Sequence, residues 1–329
     1  MPKITVIIPV YKAEKYIEKC AVSLFKQTLT DIEYIFIDDC SPDNSIKILN
    51  AIIEKFRLRF AKENKVVKIM RMPSNSGLSA VRRHGIIHAK GEYIIHCDSD
   101  DWVDLNLYES LYNKALETGA EIVMNPVTEE WKDYSEAHEL GELGNNCQAV
   151  LRNWYQNSVQ MYTVNKLVKR SVYDDNDLLP YDGINMWEDN GLMLRVFYYA
   201  KGLAQIDNAT YHYFRGNENA ITYGYNRNAV NQMIQCADYL YSFFQDKPDF
   251  SEYKRTALAI KFFAKVNLVT NSFRDLKEFY QLYPECNIII PHIGRNAFSY
   301  KGYIRFKFVK YHLAWLFVLL FKMKSWTSK

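Results

Sequence analysis

No glycine occurs before Gly77 in this 329-residue chain. That absence argues against two common ways of holding a nucleotide. Walker loops and GxGxxG loops need glycines directly after the first strand, where backbone must approach phosphate closely. Here that stretch reads Pro9-Val10-Tyr11. An NAD enzyme, a P-loop NTPase and a sugar nucleotidyltransferase with its glycine-rich first loop are all disfavoured. The six cysteines (Cys20, Cys40, Cys97, Cys147, Cys236 and Cys286) are scattered, without a CxxC pair or metal-ligand spacing. Reduced thiols in a cytosolic protein are the expectation. Long apolar runs are scarce as well. Ile4–Val10, bounded by Lys3 and Lys12, is too short for a signal segment and is expected to be a strand. Acidic residues are missing from 301–329, which holds seven Lys and Arg. Taking those seven from the 41 basic residues leaves 34 against 38 acids in 1–300, a body of net charge −4. Such a body is not a general nucleic-acid binder.

What is present is alternation. Ile4–Val10 and Ile32–Ile37 are continuous, β-branched apolar runs that fit strands buried on both faces. Val66–Met72 and Tyr93–Cys97 supply two more. Between them Ile17, Cys20, Ala21, Leu24 and Phe25, then Ile46, Leu49, Ile53 and Phe56, then Leu78, Val81 and Ile86 recur at helical spacing. Ser41-Pro42 reads as the start of the second helix. This pattern predicts an α/β fold with a mostly parallel sheet and helices on both faces. Further on, Leu105–Leu116 is expected to be helical, Glu121–Asn125 a strand and 128–148 a loop. Trp154–Val172, Trp187–Tyr199, Asn226–Phe244 and Tyr253–Val269 are expected to be helices.

Ligands of such sheets bind beyond the carboxyl ends of the strands. The polar clusters fall there: Tyr11-Lys12, Asp38-Asp39, Asn75-Ser76-Gly77 and Asp98-Ser99-Asp100-Asp101. Without a glycine loop, the charge of a diphosphate needs another partner. A divalent cation on the Asp98-Ser99-Asp100 carboxylates is the natural one, and Mn²⁺ or Mg²⁺ suits such hard oxygen ligands. Asp39 is an acceptor placed to bond a base or ribose; alternatively, the Asp38-Asp39 pair caps the next helix.

Three linked stretches, VIIPVYKAEKYIEKCAVSLFKQT, IFIDDCSPDNS and NSGLSAVRRHGIIHAKGEYIIHCDSDDW, closely resemble glycosyltransferase family 2. The resemblance is ordered over residues 3–125 and weaker to about 222. It implies a GT-A fold and an inverting, nucleotide-sugar-dependent transferase. It places Pro9, Val10, Tyr11, Asp39, Arg82, Asp98 and Ser99 at the nucleotide-sugar, usually uridine-linked. Asp98 and Asp100 would serve the metal. Arg83 departs from the family's usual asparagine, and Cys40 from a frequent glycine. Trp187-Glu188-Asp189-Asn190 resembles the family's ED motif, whose aspartate is the base; Asp189 is favoured over Glu188. Tyr211-His212-Tyr213, with the following Arg215 and Asn217, resembles a late segment that can close over the donor, making His212 a candidate contact to the metal or diphosphate. Its alternative is a structural histidine between two tyrosines. Asn165-Lys166-Leu167 resembles a common element near the acceptor, of no assigned role.

These readings divide the chain into a catalytic domain, 1–222, with a nucleotide half (1–101) and an acceptor half (102–222). A helical extension, 223–300, and a basic tail, 301–329, follow. In the tail the apolar block Leu313–Phe321 is too short to span a bilayer. Its flanking lysines and arginine, with Trp315 and Trp326, suit a helix lying on an anionic membrane surface; a docked terminal helix is the alternative. The expected function is transfer of a sugar to a glycan or lipid-linked acceptor in surface polysaccharide synthesis, at the cytoplasmic face of the membrane. A non-catalytic sugar-nucleotide-binding protein and a two-carboxylate hydrolase are the rivals.

Overall fold

The computed structural model describes residues 1–156, 159–217, 226–270 and 276–293, with Lys307, Phe308, Tyr311, Leu313 and Leu316. The basic tail, those five positions apart, therefore lies outside the described residues. The chain divides into two compact units, 1–148 with 161–221, and 149–160 with 222–329.

The first unit opens with strict alternation: β1 (Ile4–Val10), α1 (Ile17–Phe25), β2 (Ile32–Asp38), α2 (Ser45–Glu63), β3 (Val66–Arg71), α3 (Leu78–His88) and β4 (Tyr93–His96). It continues with β5 (Trp102–Val103), α4 (Leu107–Thr118), β6 (Ile122–Met124), β7 (Val127–Glu130) and β8 (Ser135–His138). After α5 (Cys147–Arg152), which crosses the division, come β9 (Lys166–Lys169), α6 (Arg170–Asp174), α7 (Glu188–Tyr199), β10 (Leu203–Gln205) and β11 (Tyr211–Phe214). Seven strands form one sheet in the order β10-β6-β9-β4-β1-β2-β3, and β5-β11-β7-β8 form a second. In the large sheet β1, β2, β3 and β4 run parallel, and β9 is antiparallel to both neighbours.

The order positions the site. From β1 the chain moves to β2 and β3, then returns to pair β4 with the other edge of β1. The connections after β1 and β4 therefore leave in opposite directions and open a crevice at their carboxyl ends. The unbroken apolar run of β1 follows from burial on both faces. Val6 and Ile8 join the cluster under α1 and α2. Ile7 meets α3 at Gly85, where a Cβ would collide with it. Phe25 of α1 is the hub of that cluster, with the rings of Tyr34, Phe36, Phe56 and Phe60 at 4.9–5.9 Å. Burying one such ring contributes about 1.5–3 kcal/mol.

The α/β expectation and the first four strands are borne out, and all six cysteines are free thiols. Three expectations need correction. The second helix starts at Ser45, because the Asp43 carboxylate accepts from the Ser45 amide and both Ser41 and Ser45 hydroxyls, holding the preceding residues in a turn. Residues 128–148 contain the β7–β8 hairpin; β8 is exposed throughout, so it carries no alternation. Trp154–Val172 is not one helix. Its middle is β9, shaped by ladders on both sides, and the buried Lys166 at its head breaks the apolar pattern.

The second unit is helical: α8 (Arg227–Gln245), α9 (Phe250–Thr270), α10 (Leu276–Gln281) and a 3₁₀ segment, Pro284–His292. Asn226 caps α8 by accepting from the Asn228 and Ala229 amides. Phe262, Val266, Phe279 and Ile289 are central to its core.

Candidate active site

At the ends of β1 and β2, the Asp39 amide donates to Val10 O at 3.0 Å, extending the pairing by one bond. The backbone then turns through left-handed conformations at Lys12 (φ 52°) and Cys40 (φ 56°). Asp39 is buried, and its carboxylate accepts from the Ser76 and Gly77 amides at 2.7 and 2.9 Å. A carboxylate has about four acceptor positions, so two remain for a ligand. Asp38 accepts from the Ser41 amide at 2.7 Å and lies 3.6 Å from Arg71. Tyr11 is 44% exposed at the mouth, whereas the Val10 side chain is wholly buried in the core. Val10 can therefore offer a ligand only backbone.

The loop after β4 carries the acids. Asp98 accepts from Arg82 Nη2 at 2.8 Å. Asp100 accepts from Asn217 Nδ2 at 2.7 Å. Burial, with the charge of Asp98, pushes the Asp100 carboxyl up to about 6. A cation between the two would relieve that repulsion, and the donor set is hard oxygen, so both acids fit a divalent metal. Among the described residues no group of three or more His, Cys, Asp or Glu side chains is gathered for a metal. Asp101 has a different task. It accepts from the Tyr211 hydroxyl at 2.5 Å and the Phe214 amide at 2.7 Å, while the Asp98 amide donates to the same hydroxyl at 3.0 Å. This buried carboxylate ties β11 to the acidic loop.

The ED-like motif lies at the start of α7. Trp187 is left-handed (φ 69°), and the helix begins at Glu188. Glu188 is buried and bonded to Arg82 Nη1. Asp189 is half-buried; its Oδ1 accepts from the amide and side chain of Asn190 at 2.7 and 3.1 Å. Burial raises both carboxyls, Glu188 to about 8, and the Arg82 guanidinium opposes the rise. Arg82, 3% exposed, thus bridges Asp98 to Glu188 across 90 residues of sequence. Beneath lies Lys166, whose Nζ donates to Tyr162 O at 2.9 Å and Asn165 Oδ1 at 2.7 Å. Burial lowers it to about 7, and the charge of Asp189 opposes the fall.

The model of the family described as "Glycosyl transferase family 2" matches residues 5–176. The chain belongs to that family. Among similar proteins, the uncharacterized glycosyltransferase EpsJ of Bacillus subtilis is 28% identical over 229 residues, 68% of this chain and 63% of EpsJ. The glycosyltransferase GlyG of Streptococcus pneumoniae is 36% identical over 121 residues, 37% of this chain and 38% of GlyG. Poly(ribitol-phosphate) β-N-acetylglucosaminyltransferase TarP of Staphylococcus aureus is 31% identical over 182 residues, 54% and 52%. The chain thus spans less than two thirds of EpsJ and about half of TarP or less of GlyG. In fold it is similar to the crystal structure of S. aureus TarS 1–349 in complex with UDP-GlcNAc. The TM-score is 0.59 at 17% identity, over 85% of this chain and 87% of that one.

The structure brings Asp98, Arg82 and Glu188 together as bonded neighbours, and Asp189 follows Glu188 in the chain. Ser99, largely buried, and Pro9, half-buried, flank them at the ends of β4 and β1. His212 stands otherwise. Nδ1 faces Glu130 at 2.8 Å, Nε2 faces Asp104 at 3.1 Å, and its ring stacks on Trp102 at 5.3 Å. Contact with a metal would require one of those carboxylates to release a ring nitrogen. Asn217 belongs to the late segment named from the sequence, and its bond to Asp100 is what the fold adds; Asp101 stands in the acidic cluster with no role of its own until its partners are seen.

Proposed function

We propose that this chain is an inverting glycosyltransferase that moves a sugar from a UDP-sugar to an acceptor hydroxyl on a glycan or lipid-linked saccharide. The observation that carries the proposal is the Arg82 bridge, which sets the ED-like pair beside the acidic loop. Asp39, with acceptor positions left over, is suited to bond the base, and Tyr11 to lie along it. Asp98 and Asp100 would hold Mn²⁺ or Mg²⁺, which when bound offsets charge on the diphosphate leaving group. Glu188 is engaged by Arg82, so Asp189 is the better base: it takes the acceptor proton as the hydroxyl attacks the anomeric carbon from the face opposite the leaving group. The resemblance to TarP and to the poly(ribitol-phosphate) β-glucosyltransferase of Bacillus spizizenii supports an acceptor among surface polysaccharides.

The deciding experiment is Asp189→Asn. UDP affinity with Mn²⁺, by calorimetry, should stay within about twofold. Transfer to lipid-linked saccharides, followed as UDP release from UDP-glucose or UDP-GlcNAc, should fall about 10²–10⁴-fold. Transfer at the wild-type rate would move the base elsewhere.

The same proposal places the protein peripherally on the inner membrane face through 301–329. No helix among the described residues is long and apolar enough to cross a membrane. Each basic residue near an anionic surface contributes about 1 kcal/mol, screened by salt. Deleting 301–329 should abolish co-sedimentation with phosphatidylserine vesicles at low salt and leave UDP binding intact. Equal sedimentation of both forms refutes the anchor.

A further inference from the structure

Helix α3 begins where the local sequence supplies no cap. Its N-cap is Gly77, at φ 85° and ψ 166°, with no side chain to accept from first-turn amides. Those amides find distant partners. Ser76 and Gly77 donate to Asp39. The Ser79 amide donates to Asn185 Oδ1 at 3.1 Å, across 106 residues. Asn185 also lies against Gly77: a Cβ there would sit 2.5 Å from its side-chain nitrogen and oxygen. The Ser79 hydroxyl donates to Tyr181 O, and Arg83 Nη2 donates to Pro180 O at 2.7 Å. With Arg82 on Glu188, the first two turns of α3 grip residues 180–188 at four points. Asp189 is next in the chain.

The gripped segment has little regular structure of its own. It lies between α6 and α7, and Asp177 and Trp187 adopt left-handed backbone. Its placement is therefore set by what it touches, and α3 supplies bonds to both its middle and its end. At the start of α3, Asp39 and Asn185 hold amides only a few residues apart. One faces the proposed donor base; the other leads to the proposed catalytic base.

We propose that Asn185 is a positioning residue that couples donor binding to the placement of Asp189. The inference rests on the assignments of Asp39 and Asp189 made above. Contact of a uracil base with Asp39 fixes the Asp39 carboxylate and the Ser76 and Gly77 amides on it. The stiffened start of α3 then fixes 180–188 through Asn185. A base displaced by about 1 Å loses on the order of 10²-fold in rate, so this coupling bears on turnover rather than on donor affinity.

The test is hydrogen exchange of the full chain with and without UDP and Mn²⁺, on wild type, Asn185→Ala and Asn185→Asp. An aspartate keeps an oxygen for the Ser79 amide and is itself a good cap. UDP should protect 38–41 and 74–78 in all three proteins. Protection of 180–189 should appear in wild type and Asn185→Asp and vanish in Asn185→Ala. Transfer by Asn185→Ala should fall at least about tenfold with UDP affinity unchanged, and Asn185→Asp should restore it. Protection at the donor loops without protection at 180–189 in wild type overturns the coupling. So does an Asn185→Ala protein that behaves as wild type, or one that only melts earlier. Absence of protection at the donor loops overturns the donor assignment itself. If Asn185→Ala does not fold, Asn185→Leu, which keeps a side chain of similar size but lacks the oxygen that accepts from the Ser79 amide, should weaken protection of 180–189, and unchanged protection rejects the idea.

Discussion

Each of the two units buries a lysine, and the surroundings differ. Lys265, in the helical unit, is fully buried; its Nζ donates to Leu282 O at 3.1 Å, Tyr283 O at 3.3 Å and Asn287 Oδ1 at 2.8 Å. The Phe279 ring lies 4.9 Å from it. Carbonyls and an aromatic face hold the cation as a brace between α9 and the segment after α10. Lys166, in the sheet unit, donates to Tyr162 O and Asn165 Oδ1 and feels the charge of Asp189, as Lys265 feels that of Glu285. Burial lowers both. One ammonium joins structural pieces, while the other shares its surroundings with Asp189, the base proposed above. A buried charge thus acquires a functional meaning from the titratable group it shares a site with.

The sharpest way to break the comparison is to remove a charge from each unit. In the sheet unit, Asp100→Ala should lower transfer by about 10²-fold or more, since on the proposed function it removes a ligand of the cation that offsets the leaving group's charge. Calorimetry should show that Mn²⁺ no longer tightens UDP binding and that EDTA no longer weakens it. Full activity of wild type in EDTA would reject a metal at Asp98 and Asp100. In the helical unit, Lys265→Ala should leave UDP affinity within about twofold and lower stability by roughly 2–4 kcal/mol. The causes are a lost buried stem and three acceptors without their donor. Denaturant unfolding measures this. A change in UDP affinity would show that the helical unit takes part in the donor site.

How much of this was legible depended on sequence distance. The strand ends carrying Asp39 and Asp98–Asp100 were readable because strand, turn and acids are contiguous. Asp189 was found through a short motif, also contiguous. The Arg82 bridge was not readable: Glu188 lies 106 residues beyond Arg82. Asp101 was passed over because its partners, Tyr211 and Phe214, are more than 100 residues away. Asn185 had no local signal, since a side chain that caps a distant helix resembles any polar loop residue. Strand β9 was misread because a buried lysine contradicts the apolar pattern by which strands are recognised. The family name came from the motifs, while the bonds between motifs came from the fold.

The smallest effect concerns Lys166 and pH. Its ammonium is held at about 7 in the folded chain, against 10.5 for an ordinary lysine. Between those values the unfolded chain binds a proton that the folded chain does not, so stability from this residue rises with pH across that window. The limiting slope is about 1.4 kcal/mol per pH unit. Lys166→Met keeps a stem of similar length and removes the titration. It leaves Tyr162 O and Asn165 Oδ1 without their donor, a penalty independent of pH. Relative to Lys166→Met, wild type should therefore gain roughly 1–2 kcal/mol between pH 7 and 9, measured by urea unfolding at several pH values. Asp189 favours the charged lysine, so Asp189→Asn should move the window to lower pH. A difference that stays flat from pH 7 to 9 would mean that Lys166 remains charged in the folded protein. It would then pair with Asp189 as a fixed cation, in contrast to the pH-dependent role argued from its burial.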